Sequence, residues 1–304
     1  MKKSLIALAA IGFVGAAAAQ SSVTLNGIAD IWVGKPEGGK VQAGSGGVAE
    51  SRFGIKGSED LGGGLKAVFT FESGINLGNG SLNGTLFNRQ ANVGLEGGFG
   101  TIKAGQNWNA LDDIFGSANS GFDSALSANG VWQNGYTGAA AAQLYYATPE
   151  FSGFSGAIST QLNGNTANGA NKITAFHAKY ANGPVYVGLG YENDKGIARK
   201  GTLLNGSYDL GAAKLLASYY TTKAFGTTAK VNSYQLGADI PMGAALTLSV
   251  GYASSKATGG QSATGFGVAA AYALSKRTTL YGGLRATNNV AGNDLWAVGV
   301  NHKF

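Results

Sequence analysis

Several charged side chains are placed where they could act on a solute by electrostatics. Five of them lie in short segments that alternate between apolar and polar residues, and three more lie in a stretch, residues 107–141, without such alternation. Acids and bases that face each other across water can orient and filter small polar solutes without forming a covalent bond. The sequence therefore predicts an electrostatic constriction formed by Arg52, Lys56, Lys66, Glu72 and Arg89 of the segments and by Asp112, Asp113 and Asp123 of the stretch.

Covalent or metal chemistry has few candidate residues. His177 and His302 are the two histidines, and neither has a partner at a metal-ligand spacing. A Ser-His-Asp hydrolase with His177 as the base is the alternative from another class, although the sequence contains no G-x-S-x-G turn. The glycine cluster at 62–64 does not match the nucleotide-binding patterns. We therefore predict a protein that is not an enzyme, with no catalytic residue, metal or cofactor.

A series of short β-strands is predicted to present the polar positions. In the first, Val23, Leu25, Ile31 and Val33 share one parity and polar residues take the other, which indicates one apolar and one polar face. Sixteen such segments are joined alternately by seven tight and eight longer connections. An even strand number with one tight end and one loop-rich end is typical of outer-membrane barrels.

A soluble β-sandwich would show the same alternation, and the last segment favours the barrel. Its residues of one parity keep the apolar face up to the final position: Trp296, Val298, Val300, His302 and Phe304. Closure also removes the unpaired strand edge that lipid would penalise. We predict an all-β fold, a 16-stranded antiparallel transmembrane β-barrel formed as a single domain by residues 20–304. The long third loop, about residues 107–141, is expected to fold into the pore.

Two features of the predicted strands concern the face that meets lipid. Gln90 and Asn92 interrupt the apolar outer face of their segment, which indicates either a protein contact or a bend. Aromatic residues near strand ends fit the interfacial girdles of such barrels, namely Trp32, Tyr180, Tyr191, Tyr219, Tyr252, Tyr272 and Tyr281.

The composition agrees with an exported β protein. The chain has 51 glycines, 4 prolines, no cysteine and only 12% charged residues. Residues 1–19 have the lysines, the apolar run and the small residues of a cleaved signal peptide. Without Lys2 and Lys3, 20 basic residues stand against 16 acidic ones, a net charge of +4. This excess is scattered and forms no run, so no nucleic-acid partner is predicted.

Six stretches along the chain resemble the general porins of Gram-negative β-proteobacteria, which are related to the Neisseria porins. They are SSVTLNGIAD at 21–30, SRFGIKGSEDLGGGLKAVFTFESG at 51–74, LFNRQANVGLEGGFGTIKAGQ at 86–106, TPEFSGFS at 148–155, YALSKRTTLYGG at 272–283 and VGVNHKF at 298–304. The resemblance implies a trimer of barrels in the outer membrane, each with its third extracellular loop in the pore. It also implies passive diffusion of small hydrophilic solutes and ions, often with anion preference.

The resemblance extends to single residues and partners. Arg52 and Arg89 are similar to the pore arginines of the family, and Phe304 to the terminal aromatic that the barrel-assembly machinery recognises. Tyr145 stands where members often carry an arginine, so a weak to moderate anion preference is expected. The implied partners are a homotrimer, outer-membrane lipid, lipopolysaccharide and the barrel-assembly machinery. A substrate-selective channel is the alternative of similar fold.

Overall fold

The computed structural model describes residues 21–162, 172–290 and 292–304. The predicted signal peptide, residues 1–19, lies outside the described residues. In the part of the chain that is described, no helix is long and apolar enough to cross a membrane.

One antiparallel sheet closes on itself, because the first strand pairs with the last from Ile28 opposite Lys303 to Pro36 opposite Leu295. The described residues form eighteen strands: β1 (Ser22–Pro36), β2 (Gln42–Ser45), β3 (Arg52–Gly62), β4 (Leu65–Asn76), β5 (Ser81–Leu82), β6 (Gln90–Gly97), β7 (Gly100–Trp108), β8 (Ala139–Ala147), β9 (Phe154–Gln161), β10 (Ile173–Asn182), β11 (Val185–Asp194), β12 (Arg199–Asp209), β13 (Lys214–Ala224), β14 (Lys230–Met242), β15 (Leu246–Ala257), β16 (Ser262–Ala273), β17 (Thr278–Asn288) and β18 (Leu295–Lys303).

Sixteen of these strands form the barrel wall, and the predicted 16-stranded antiparallel barrel is confirmed. The other two, β2 and β5, are short strands within the long connections that follow β1 and β4. Tight and long connections alternate around the barrel, as the sequence pattern predicted. At the tight β3–β4 turn, Gly62, Gly63 and Gly64 all have positive φ, a conformation that side-chain-bearing residues adopt only with strain.

The apolar parity of each strand forms the outer surface. Val23, Leu25 and Val298 remain exposed on the isolated barrel, whereas residues of the other parity point inward and are often buried. Asp30, for example, is buried and accepts hydrogen bonds from Tyr281 and from backbone N–H groups of the loop after β1. An outer face of this kind suits a membrane, because its apolar side chains can be covered by lipid instead of by other parts of the protein.

Two of the girdle residues predicted for the outer face are wrong, and of the two readings of Gln90 and Asn92 the structure supports a bend rather than a protein contact. Gln90 and Asn92 point into the lumen, since Val93 and Leu95 carry the exposed parity of β6. Trp32 and Tyr281 also lie on the lumen parity of their strands, where Tyr281 belongs to a buried apolar cluster with Leu126 and Trp32 packs against that cluster. The reason is the two-residue period itself, since Trp32 shares its parity with Asp30 and Tyr281 with Arg285.

The connection from β7 to β8 runs inside the barrel, and residues 109–138 are called the inner loop here. It contains the single-turn helix α1 (Asp112–Phe115) and two 3₁₀ turns (Gly121–Asp123 and Ala128–Val131). Polar side chains of β12 to β15 bind its backbone. Asn205 donates to the carbonyl of Ile114 at 2.6 Å, and the hydroxyls of Ser249 and Ser255 accept from backbone N–H groups of the loop at 2.7 and 2.9 Å.

The wall behind the inner loop is lined with small residues. A Cβ atom at Gly190 would collide with Leu111, and one at Gly251 would collide with Ser120. The loop and the wall share an apolar core, in which Phe115 of the loop packs against Tyr136 with ring centroids 4.1 Å apart and against Tyr220 of β13 at 5.1 Å. Close backbone approach and aromatic packing together fix the loop against one side of the barrel.

Candidate functional site

Arg52, Glu72 and Arg89 form one ion-pair cluster on the lumen face. The Nε of Arg52 lies 3.4 Å from one Glu72 carboxylate oxygen, and the Nε of Arg89 donates to the other at 2.7 Å. Arg89 also binds Glu50, whose role the sequence pattern did not reveal. Two arginines are thus matched by two carboxylates. This part of the wall, called the arginine cluster here, is close to neutral rather than strongly positive.

Arg89 reaches this cluster because β6, the strand that begins directly after it, has an irregular start. Its backbone N–H donates to the carbonyl of Glu72 at 3.2 Å, while Gln90 is the register partner of the same residue. Two residues opposite one is the arrangement of a β-bulge, which redirects side chains. The guanidinium of Arg89 also lies 4.8 Å above the Trp108 ring, close enough for a cation–π interaction.

Asp112 of the inner loop is electrostatically coupled to the arginine cluster. Burial raises the pKa of its carboxyl group, and the nearby charge of Asp113 adds to that shift. The Tyr136 hydroxyl, which donates to Asp112, and the positive charge of Arg89 favour the ionised form and oppose the shift. The positive charge of Arg89 on the wall is therefore close enough to this loop acid to influence its ionisation.

Asp113 faces a different part of the wall, formed by β7, β8 and β10. Its carboxylate accepts a hydrogen bond from the Tyr145 hydroxyl at 2.6 Å and lies 3.5 Å from Nδ1 of His177. Burial raises the pKa of Asp113, while Tyr145, His177, Lys179 and Lys103 favour its ionised form. Lys103 and Lys179 thus add a second group of bases that the sequence pattern did not single out, although both have lumen parity.

The other predicted residues lie apart from these two groups. Asp123 accepts from the Asn119 amide at 2.6 Å, and burial raises the pKa of its carboxyl group. Lys56 is four residues along β3 from Arg52, or about 13 Å at about 3.3 Å per residue. Lys66 lies at the tight-turn end, where its register partners are Asp60 and Glu96. The structure does not bring Lys66 to the level of the arginine cluster.

Glu192 of β11 joins the two ends of the inner loop. Its carboxylate is 1% exposed, accepts from the Asn109 amide at 2.6 Å and accepts from the backbone N–H of Thr137 at 3.1 and 3.2 Å. The Thr137 hydroxyl donates to Asp194 on the same strand. The sequence shows Glu192 as a carboxylate on the lumen parity of its strand. It does not show what Glu192 binds, because its partners in the inner loop lie more than fifty positions away in the chain.

His177 is part of the same anchorage. Its Nδ1 lies 2.6 Å from the carbonyl oxygen of Ala110, at the beginning of the inner loop, and accordingly carries the proton of that hydrogen bond. The ring is buried between β10 and the loop. The nitrogen that would face an aspartate in a catalytic triad is therefore committed mainly to a backbone carbonyl.

Phe304 closes the barrel at the chain end. Its backbone exchanges two hydrogen bonds with Gly27, at 3.0 and 3.1 Å, and its side chain is 48% exposed on the outer face. A Cβ atom at Gly27 would collide with the Phe304 ring, so the glycine makes room for the aromatic side chain.

The arrangement can select solutes by charge and size. Charged side chains of both signs line the lumen between the inner loop and the wall of β3 to β10, and the loop narrows the passage. Among the described residues, no group of three or more His, Cys, Asp or Glu side chains could hold a metal ion. Opposite charges that face each other across a passage can orient dipoles and filter ions.

Comparisons with known proteins agree with this geometry. Residues 4–292 match the family model described as Gram-negative porin. Outer membrane porin protein 32 of Delftia acidovorans is 36% identical over 330 residues, covering 97% of this chain and 92% of that protein.

Two solved structures place the fold. An anion-selective porin from Comamonas acidovorans superposes with a TM-score of 0.80 at 29% identity, covering 94% of this chain and all of the other. The trimer form of OmpT from Vibrio cholerae, at 15% identity, gives a TM-score of 0.72 over 93% of this chain and 99% of that chain, and shows the fold alone. The chain therefore belongs to the Gram-negative porin family and is an outer-membrane β-barrel protein.

Proposed function

We propose that this chain is a general diffusion porin, which lets small hydrophilic solutes and ions cross the outer membrane passively with a weak to moderate anion preference. The observation that carries the proposal is the inner loop, anchored at both ends by Glu192 and lying against one side of the lumen. A fixed loop leaves a permanent passage along the opposite wall. That passage needs no conformational cycle and no chemical step.

The proposed strength of the selectivity follows from the charges in the passage. Glu50 and Glu72 bind the two arginines of the arginine cluster, so these bases attract anions less than free ones would. Tyr145, in the position where family members often carry an arginine, donates a hydrogen bond to Asp113 and brings no charge. Lys103 and Lys179 supply positive charge on that side instead. The balance favours anions modestly.

The proposed partners include two further copies of the chain. OmpT of Vibrio cholerae is known in a trimer form, and we extend the trimer to this chain because the two share the barrel fold. Outer-membrane lipid and lipopolysaccharide would contact the apolar outer face. The barrel-assembly machinery would recognise the exposed terminal side chain of Phe304 before β1 and β18 pair.

The test is a planar-bilayer recording of the purified protein in neutral lipid under a salt gradient. We expect stepwise openings, often in threes, and a zero-current potential of the sign given by anion preference. The double variant Arg52→Ala with Arg89→Ala should lower the anion-to-cation permeability ratio. An unchanged ratio would remove both residues from the constriction, and a folded barrel that never conducts would refute the diffusion porin.

Recordings with added solutes and an assay of hydrolysis separate the two alternatives. A substrate-selective channel would show saturable block of its conductance by one solute, which a general porin would not. A hydrolase would show an activity lost in His177→Ala. We propose that His177 instead positions the inner loop through Ala110, so that no hydrolytic activity depends on it.

A further inference from the structure

Asp30 is a buried acid that does not itself line the proposed passage. It lies on the lumen parity of β1, at the seam where β1 pairs with β18, and it is 0% exposed. Among the described residues, no lysine, arginine or histidine nitrogen lies within 4.0 Å of its carboxylate. A buried charge without a partner is costly, so the structure around Asp30 has to stabilise it in another way.

Hydrogen-bond donors take the place of a cation at this carboxylate. One of its oxygens accepts from the backbone N–H of Gly47 at 2.8 Å and from the Tyr281 hydroxyl at 2.6 Å. The other accepts from the backbone N–H groups of Val48 and Ala49 at 3.0 and 2.9 Å and from the Asn301 amide at 2.8 Å. Three successive backbone N–H groups that point at one anion form a nest. The carboxylate thereby ties the loop after β1 to the last two strands of the barrel.

The main chain of Asp30 binds the same loop on both sides of the nest. Its carbonyl oxygen accepts from the backbone N–H of Gly46 at 2.9 Å and from the Ser51 hydroxyl at 2.8 Å. Its own N–H donates to that hydroxyl at 3.0 Å. We call residues 46–51 the nest segment. Every residue of the nest segment except Glu50 therefore forms a hydrogen bond with Asp30.

Glu50 is the residue of the nest segment that reaches into the passage. Its carboxylate pairs with Arg89 and accepts from the Asn83 amide at 3.0 Å, and 41% of its side chain is exposed. The residues before and after it, Ala49 and Ser51, are both bound by Asp30. The backbone that carries this charge is thus fixed from the seam of the barrel.

The nest segment also supports the far end of the inner loop. The carbonyl oxygen of Gly47 accepts from the backbone N–H of Ala125 at 2.7 Å. The carbonyl oxygen of Ala125 accepts in turn from the guanidinium of Arg285 on β17 at 2.9 Å. The two peptide groups that flank Ala125 are therefore held by groups next to the seam, and the first of these contacts depends on the nest segment.

We infer that Asp30 is a positioning residue for the constriction. It fixes Glu50 in the arginine cluster and Gly47 beside the inner loop, although it does not face a passing ion itself. The inference rests on the proposed function, because it concerns the selectivity of that diffusion pore. A role limited to stabilising the seam would instead leave the contribution of Glu50 to selectivity unchanged when Asp30 is altered.

The experiment measures how far Asp30 controls the effect of Glu50. Asp30→Asn keeps the size of the side chain but turns one acceptor oxygen into an amide donor, which cannot bind the N–H groups of the nest segment. The matched control is Asp239→Asn on β14, which also alters a carboxylate of lumen parity but keeps an acceptor for the Ser249 hydroxyl. Glu50→Gln is combined with each, and zero-current potentials give the anion-to-cation permeability ratios.

We expect Glu50→Gln to raise the permeability ratio about fourfold in the unchanged protein and in the control, as one charge about 6 Å from the ion path would do. In Asp30→Asn the rise should be less than about twofold, because a carboxylate that has moved to about 12 Å is both more distant and more strongly screened. A fourfold rise in all three backgrounds would overturn the inference.

A second measurement does not depend on conduction. The chain has no cysteine, so a nitroxide attached to Ala49→Cys reports the mobility of the nest segment alone. We expect a slowly moving label in the unchanged protein and in Asp239→Asn, and a faster one in Asp30→Asn; equal mobility in all three would also overturn the inference. If Asp30→Asn does not fold, Ser51→Ala takes its place in both measurements, because it removes the hydroxyl bound to Asp30, and the same results decide.

The two readouts separate this inference from the proposed function. A barrel that never conducts, but whose label moves faster in Asp30→Asn, would support the role of Asp30 and refute the diffusion porin. Normal conductance, with equal label mobility and an equal effect of Glu50→Gln in every background, would refute the role of Asp30 and leave the diffusion porin standing.

Discussion

Neutralising Glu50 should raise the anion preference of the pore. Glu50 is the more exposed carboxylate of the arginine cluster, with 41% of its side chain exposed, whereas Glu72 is largely covered. Glu50→Gln keeps an oxygen for the hydrogen bond from Asn83 and leaves Arg89 bound to Glu72. The substitution therefore removes one negative charge from the passage and retains the local structure.

The size of the effect follows from the position of Glu50 in water. An ion that passes about 6 Å from the carboxylate interacts with it by about 0.7 kcal/mol at the dielectric constant of water. Screening over a Debye length of about 10 Å at 0.1 M salt lowers this to about 0.4 kcal/mol. The change favours anions and disfavours cations by equal amounts, so the permeability ratio should rise by about fourfold, since about 1.4 kcal/mol corresponds to tenfold.

The assay is the zero-current potential across a bilayer in a potassium chloride gradient, for the unchanged protein, Glu50→Gln and Glu96→Gln. Glu96 also has lumen parity, but it lies at the tight-turn end opposite Lys66. Its substitution removes the same charge outside the constriction and should have a much smaller effect. A constriction at the arginine cluster would be refuted if Glu50→Gln left the anion-to-cation permeability ratio unchanged. It would also be refuted if both substitutions raised the ratio equally.

Three further predictions concern the inner loop. Burial raises the pKa values of its three aspartates, so they gain protons at a higher pH than exposed aspartates do. As the pH falls, the pore therefore loses negative charge and its anion preference should rise. Zero-current potentials over a pH series would check this, and a fall in anion preference on acidification would contradict it. Gly251→Leu should push the loop away from its wall, because the new side chain collides with Ser120, and should reduce single-channel conductance relative to Gly98→Leu at an open turn. His177→Ala should remove the hydrogen bond to Ala110, costing about 1 kcal/mol or more of stability, and should give noisier but still open channels; a silent channel would contradict it.

The wall of the barrel was predictable because it follows from a local rule. Two-residue alternation assigns each side chain to lipid or lumen, and connection lengths assign each strand end to the tight or the loop-rich side. Counting these segments predicted the sixteen strands, and parity alone placed Arg52 and Glu72 in the lumen. The same rule, applied strictly, would have corrected the assignments of Trp32, Tyr281 and Asn92.

The inner loop was only partly predictable, because its position depends on contacts between distant residues. Its three acids stand out in the sequence, but nothing local indicates that Glu50 binds Arg89 or that Lys179 lies near Asp113. Arg89 points inward through a bulge, which a count of alternating residues does not detect.

The sequence by itself thus determined the β-barrel, the two faces of its wall and the existence of a long third loop, since each depends on neighbours in the chain. Only the tertiary structure decided which side of the lumen the loop covers and which charges remain in the passage. Glycines such as Gly190 and polar side chains such as Asn205 select that side, because they fit the loop only once the barrel has closed. The ion pairs, and hence the selectivity that we propose, depend on that closure.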